Sequence, residues 1–388
     1  MSPLFRPTST LGLVFHIGTS SVYAGLVRFE RDKPPHVVHT LREPIPYQDN
    51  LDPNRFLSLM LDALKAANAR VLKEGLAAAV SHDGVRHVSY VFSSPWVFTQ
   101  SKTASINGKE PFTLTRDQVE KLIESHEKAL SPKIADESAR DVQGGIKVIE
   151  KKVVDIKLNG YQIADPFGMK ARSVDIAFLT SVMPAAVYEK IVDVATQAYH
   201  PHDTRAFSFM LVAFSALRDA FPKESDFVIV DIGGEMTDIA VVEEGRIIET
   251  ASFPLGGRSV IRAMSASLGI SAAETASQIA LCEEGRADDA LETKIAPAFN
   301  QALGEWMKGF DAAVGKAKRA IALPSRIFIA ADGDLAVAFE RTLASDEATP
   351  SLLDQSALGY MVSSEAGAEK DTFVTLIAAF LNRVYESD

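Results

Sequence analysis

Phe227-Val-Ile-Val-Asp-Ile-Gly-Gly-Glu-Met-Thr-Asp-Ile-Ala-Val-Val242 is a β-branched run, a polar turn carrying two glycines, and a second run that starts again at once. That pattern predicts a β-hairpin with a glycine-bearing tip. A matching stretch lies about 210 residues upstream: Leu13-Val-Phe-His-Ile-Gly-Thr-Ser-Ser-Val-Tyr-Ala-Gly-Leu-Val-Arg-Phe29. Two such hairpins at domain-scale separation predict two related α/β halves rather than a short-period solenoid.

The rest of the chain fits that frame. Its 388 residues suggest two or three compact units at ~150 residues each. Composition is that of a globular chain, 47% hydrophobic and 23% charged. The net charge of −11 gives no basic field for nucleic acid, which is set aside as a partner. A lone cysteine, Cys282, cannot close an intrachain disulfide, so a reducing, cytoplasmic setting is expected. No apolar run approaches the ~20 residues of a membrane span, and Leu11–Phe15 reads as a strand rather than a signal peptide. Phe56, Leu57, Met60, Leu61 and Leu64 share one helical face, and Thr115 with Gln118 forms a capping signal. Strands are expected at Val88–Phe92, Val148–Leu158 and Val174–Leu179, and residues 131–146 read as a polar loop. The block from 86 to 187 therefore looks like an inserted α+β module. A helical block from Ser259 to about Ala320, a buried strand Arg326–Ala331 and two terminal helices complete the pattern.

Glycines in a hairpin tip let backbone N–H groups approach an anion, and Ser or Thr hydroxyls add donors. Gly18, Thr19 and Ser20 make the first tip; Gly233, Gly234, Thr237 and Asp238 belong to the second. Facing each other, the two can clamp a phosphate chain. Asp231, at its strand end, is placed to hold a hydrated Mg²⁺ or orient an attacking water. Hairpin turns favour these residue types in any case, so the matched pair carries more weight than either tip alone.

The two tips resemble the phosphate motifs of the actin/Hsp70/sugar-kinase ATPase superfamily, and within it the FtsA/PilM family. Asn159-Gly-Tyr-Gln-Ile-Ala-Asp-Pro-Phe-Gly-Met-Lys-Ala171 resembles a stretch in the inserted subdomain of FtsA, the bacterial division protein. Phe253-Pro-Leu-Gly-Gly-Arg-Ser-Val260, with Gly256 and Gly257, resembles the turn that leads into the upper part of the second half. The resemblance implies an actin-like α/β fold of two halves around a nucleotide cleft, with an SHS2-like insertion in the first. The first half would span 9–85 and 188–222, the insertion 86–187, and the second half 226–388 with a helical insertion at about 257–322. It also implies ATP and Mg²⁺ as ligands.

Several positions depart from the family pattern. His16 replaces the first acidic residue, where it is expected as a tolerated surface change or, when protonated, as a hydrogen-bond donor to phosphate, and Glu235-Met236 stand where Gly and Thr are usual. The helix that meets ribose and base has Ala276, Ser277 and Ala280, and the adenosine turn Ile329–Asp334 keeps only Gly333 for close backbone approach. These changes imply weak, Mg²⁺-dependent ATP binding with little base discrimination, and at most slow hydrolysis. The terminal helix carries an apolar stripe of Phe373, Leu376, Ile377, Phe380, Leu381 and Val384 but only Arg383 as a basic residue, so it reads as a core helix of the second half and not a membrane anchor. Trp96 and Trp306 read as packing residues, Cys282 as a small buried hydrophobe, and the eight histidines show no metal-ligand spacing. The leading expectation is an FtsA-like scaffold that self-associates and recruits partners to a membrane-bound division machine, including the division tubulin homologue. The alternative is a PilM-like component of type IV pilus or secretion assembly that grips a membrane protein's cytoplasmic tail. A small-molecule kinase ranks third.

Overall fold

A computed structural model describes residues 9–76, 84–137, 145–163, 165–317, 323–331, 333 and 335–386. β1 (Ser9–Ile17) and β2 (Ser21–Glu30) form the first hairpin, extended by β3 (His36–Pro44). Helix α1 (Pro53–Arg70) follows, started by Pro53 and by Asp52, which accepts the Arg55 N–H at 2.7 Å. The chain returns as β4 (His87–Phe92) and then enters a module of β5 (Phe98–Thr113), α2 (Arg116–Glu137), β6 (Ile146–Leu158), β7 (Tyr161–Gln162) and β8 (Lys170–Pro184). The Thr115/Gln118 capping box forms as expected. α3 (Ala185–Tyr199), β9 (Asp203–Ser208) and α4 (Phe209–Ala220) come next. The second hairpin is β10 (Phe227–Ile232) and β11 (Thr237–Glu243), extended by β12 (Arg246–Phe253). Helices α5 (Gly257–Leu268), α6 (Ala272–Glu283) and α7 (Asp289–Ala317) lead to β13 (Arg326–Ala331), α8 (Ala336–Leu343) and β14 (Thr349–Leu352). The chain closes with α9 (Gln355–Leu358), β15 (Ser363–Ser364) and α10 (Thr372–Glu386).

The repeat seen in the sequence is a repeat of topology. One sheet runs β15-β3-β2-β1-β4-β9 and another β12-β11-β10-β13-β14. In each, an antiparallel three-strand meander is joined through its first strand to two parallel strands. Strand alternation sorts side chains between layers. Leu13, Phe15 and Ile17 face an outer core with α1 and α3, and Val228, Val230 and Ile232 face an outer core with α5 to α8. Val14 and the second sheet's Phe227 and Ile229 face inward, onto α4 and α10, which share one core between the sheets. The module's four-stranded sheet, β5-β8-β6-β7, has a small core of its own with α2.

Four expectations are corrected here. β4 pairs in parallel with β1, from Gly12↔His87 to Ile17↔Phe92, so residues 87–92 belong to the first sheet and the module's sheet starts at Phe98. α10 packs on α4 and on β1 and β2, and β15 pairs with β3, so the chain's end returns to the first sheet instead of closing the second half. α2 extends to Glu137 and β6 begins at Ile146, so helix occupies part of the expected loop; residues 138–144 lie outside the described residues. Cys282 is half-buried, not buried.

Candidate functional site

The two hairpin tips meet. Thr19 and Ser20 on one side and Gly233 and Gly234 on the other are in direct contact, while Gly18 packs within its own turn: a Cβ built on Gly233 would lie 2.6 Å from the Thr19 hydroxyl, and one on Gly234 would lie 2.9 Å from Ser20 Cβ. The donors expected to face a phosphate chain face protein instead. The Glu235 N–H donates across the interface to Thr19 Oγ1 at 3.0 Å. Gly18 N–H donates to Ser21 O within its own turn, and Gly233 N–H to Met236 O within the other. The Thr237 hydroxyl donates to Leu255 O at 2.7 Å and accepts the Trp306 indole N–H at 3.0 Å. Gly256 packs so tightly that a Cβ there would lie 2.3 Å from Gly233 O, and Gly257 N–H donates to that same carbonyl at 2.9 Å.

Asp231 and His16 occupy equivalent inward-facing positions at the ends of β10 and β1, and Ser93 joins them. The Ser93 hydroxyl donates to Asp231 Oδ2 at 2.6 Å, and His16 Nε2 lies 3.0 Å from Ser93 Oγ. Ser93 has one proton to give, so His16 is the donor in the second bond and carries its hydrogen on Nε2. His16 is buried, its ring stacked on Phe373 at 4.3 Å and tilted on Phe209 at 5.0 Å. It is a core aromatic, which corrects the expectation of a surface change. Asp231 is likewise buried, spending one carboxylate oxygen on Ser93.

Next along the loop, Ser94 N–H donates to Asp238 Oδ2 at 2.9 Å, Ser252 donates to Asp238 Oδ1, and the Trp96 indole donates to Gly18 O at 2.7 Å. Burial pushes the Asp238 carboxyl above its ordinary range, against the lowering effect of its hydrogen bonds to Ser252 and Ser94. The loop Ser93–Trp96 therefore fastens the first half to both strands of the second hairpin. Two arginines fasten the opposite edge. Arg258 donates to the carbonyls of Ser20 at 3.0 Å and of Ile45, and Arg262 donates to Gln48 O at 2.8 Å and to Glu235 Oε2. Arg258 sits in the first turn of α5, where the helix dipole disfavours a cation. The loop of the first half supplies the carbonyls that hold it there.

Gly333, with φ of +106°, and Ala276 line a cavity of about 170 Å³ with Ser20, Arg42, Gly234, Gly257 and Arg258. Its size is below the ~300 Å³ at which small-molecule sites begin. Asp332 and Asp334 lie outside the described residues. Most of the expected phosphate and base residues are thus brought together, but against one another. In this arrangement a triphosphate does not fit between the tips, since the gap it needs is filled by Thr19, Ser20 and the Glu235 main chain. Among the described residues no cluster of three metal-ligating side chains occurs. Sequence reasoning missed Ser93, Ser94, Arg258 and Arg262. A Ser-Ser-Pro-Trp turn after a buried strand, and an arginine pair one helical turn apart after Gly-Gly, are the signals that mark them.

The module is tied to both halves. Glu150 on β6 is buried and accepts from the Ser181 and Ser208 hydroxyls and from the Ser208 N–H at 3.1 Å; Ser208 is also the N-cap of α4. Burial pushes its carboxyl up to about 7, outweighing those hydrogen bonds. On the other side Asp155 is buried and accepts from Arg246 at 3.1 Å, and Ser101 donates to Ile247 O at 2.8 Å. The module also carries a groove of about 400 Å³ between α2 and β6. Val119, Ile123, Val153 and Phe167 form its apolar lining, with Arg116, Glu120, Glu124 and Lys151 among them. Arg116 stacks over the Phe167 ring at 4.2 Å.

No family model matches the chain, and no curated protein sequence does. Solved structures do. The PilM of a PilM–PilN type IV pilus biogenesis complex superposes with a TM-score of 0.59 at 14% identity, over 98% of this chain and 99% of that one. The ethanolamine utilization protein EutJ from Carboxydothermus hydrogenoformans gives 0.45 at 12%, over 98% and 90%. The MamK double helical filament gives 0.46 at 11%, over 97% and 99%. With the paired meander sheets, the likeness to PilM gives the fold as actin-like, two α/β halves about a cleft. Among the described residues no helix is long and apolar enough to cross a membrane.

Proposed function

We propose that this chain is a scaffold of the pilus or secretion type, which grips an extended cytoplasmic tail of a membrane protein and associates with its own copies. The observation that carries the reading is the contrast between a cleft whose tips touch and a module whose groove is open. The groove's volume lies inside the ~300–1,000 Å³ range of sites that enclose a ligand. Its apolar floor with charges of both signs suits a short segment with apolar anchors and polar flanks. The likeness to the PilM–PilN complex over nearly all of both chains favours the pilus reading above the division reading that the Asn159–Ala171 stretch first suggested. Boundaries of the halves and module, self-association and attachment to a membrane through partners belong to this proposal; ATP with Mg²⁺ stays outside it, because the touching tips fill the gap a triphosphate needs. Turnover of a small substrate does not, because Asp231 is bound to Ser93 at the closed base of the cleft.

The test is fluorescence polarisation with peptides copied from the cytoplasmic tails of membrane proteins encoded beside this gene. One tail is expected to bind, and Arg116→Glu or Phe167→Ala to weaken it at least about tenfold, the equivalent of 1.4 kcal/mol. Binding unaffected by both substitutions refutes the groove. Binding of a tubulin-like division protein with no tail bound would restore the division reading.

A further inference from the structure

The geometry points to a cleft held shut by a carboxylate of the chain itself: Glu235, at the tip of the second hairpin, acts as the internal anion of the cleft, in the place a phosphate group would need. Glu235 lies between Gly234 and Met236, and its side chain is only 4% exposed. Its main-chain N–H reaches across to Thr19 of the first half. Its side-chain Oε2 accepts from Arg262 Nη2, while Arg262 Nη1 holds the Gln48 carbonyl of the first half at 2.8 Å. One residue thus contributes a main-chain and a side-chain link between the halves, the second through a guanidinium that touches both. Arg262 also lies over the Tyr47 ring at 5.6 Å, which fixes its direction.

A buried carboxylate is tolerated only with a partner, and it repels any other anion that approaches that partner. The second carboxylate oxygen, Oε1, is buried and has no hydrogen-bond donor among the described residues, so the negative charge at the tip is not fully spent. A polyphosphate entering here meets both the contact of the tips and the charge of Glu235. Closure of this cleft therefore does not depend on nucleotide, and the arginine that would greet a phosphate is already engaged.

The test uses the full chain, with inorganic phosphate, pyrophosphate and MgATP as probes, read by thermal unfolding and calorimetry. For the unsubstituted protein, each probe at about 5 mM is expected to leave the unfolding midpoint unmoved, since stabilisation follows the ratio of ligand to Kd. Glu235→Ala is expected to unfold earlier and to be restored in part by phosphate or pyrophosphate, with affinity at least about tenfold above the unsubstituted chain. Adding Arg262→Gln to Glu235→Ala should abolish that gain. Glu235→Gln, which keeps the size and removes the charge, serves if the alanine variant does not fold, and should show the same gain. Binding of MgATP by the unsubstituted protein with a Kd below about 0.1 mM would overturn the inference. So would folded Glu235 variants whose anion affinity matches that of the unsubstituted chain.

Discussion

Replacing Gly256 by alanine probes the contact between the second hairpin and α5 at its tightest point. The residue has extended backbone, φ −152°, which alanine adopts freely, so the cost is steric and not conformational. The new methyl would lie 2.3 Å from Gly233 O and 2.7 Å from Gly234 O, both main-chain atoms of the tip. Neither can swing aside as a side chain would. The tip or the start of α5 must move by about 1 Å, which disturbs the Gly257-to-Gly233 and Arg258-to-Gly234 hydrogen bonds. Overpacking typically costs 1–3 kcal/mol, and a clash with two backbone groups belongs at the upper end, about 3 kcal/mol. With an unfolding entropy of ~2.1 cal/mol/K per residue, that lowers the midpoint by about 4 °C in differential scanning calorimetry if the chain unfolds as one unit. Gly304→Ala and Gly315→Ala, on α7 with no atom of the described residues packed on the added methyl, are the controls. They should each raise stability by about 0.5–1 kcal/mol, because glycine is a poor helix former. A Gly256→Ala protein as stable as the controls would refute the reading of the tips as closely packed.

Glu150, raised to about 7 by burial, contributes stability that is fully present below its ordinary pKa near 4.5 and is lost as pH rises through about 7. The unsubstituted chain should therefore lose about 3 kcal/mol across that window relative to Glu150→Gln, measured as paired urea melts from pH 5 to 8; parallel curves would count against it. Asp155→Ala, Arg246→Ala and the double variant should give a coupling of about 2 kcal/mol, since Asp155 is buried while Arg246's other partner, Glu244, is exposed. Additive losses would show that the module is not tied to β12 by this pair. A chain ending at Lys370 should yield no soluble folded protein, because it loses Phe373, Val374, Leu376, Ile377 and Leu381 from the central core at ~1.5–3 kcal/mol each, most of a typical domain's net stability. Cooperative unfolding of such a chain would contradict the placement of α10.

The two hairpins were legible because a strand–glycine turn–strand pattern is local and appears twice. Their repetition gave two halves, and the sheets bear this out in shared strand order. Less was legible where the pattern is not local. Val88–Phe92 is buried on both faces, so it carries no alternation to say which sheet it joins. The stripe on α10 says that one face is buried, not that β1 and β2 cover it. Thr19 and Thr237 are the residues a phosphate site uses, yet a hydroxyl serves a neighbouring N–H or carbonyl as readily as a ligand. Nothing in the sequence around Gly234 tells whether its tip faces a gap or Ser20. His16 and Asp231 align in the two motifs, but the serine that joins them lies 77 residues from one and 138 from the other.

Closure without nucleotide is tested most directly by the distance between the halves in solution. Spin labels on Asp62→Cys of α1 and Lys308→Cys of α7, both exposed, with Cys282→Ser removing the native thiol, report it by double electron–electron resonance. The expected result is one narrow distance distribution that is the same with and without MgATP, and that broadens in Glu235→Gln. A broad distribution in the ligand-free protein that narrows or shifts on adding MgATP would contradict the account.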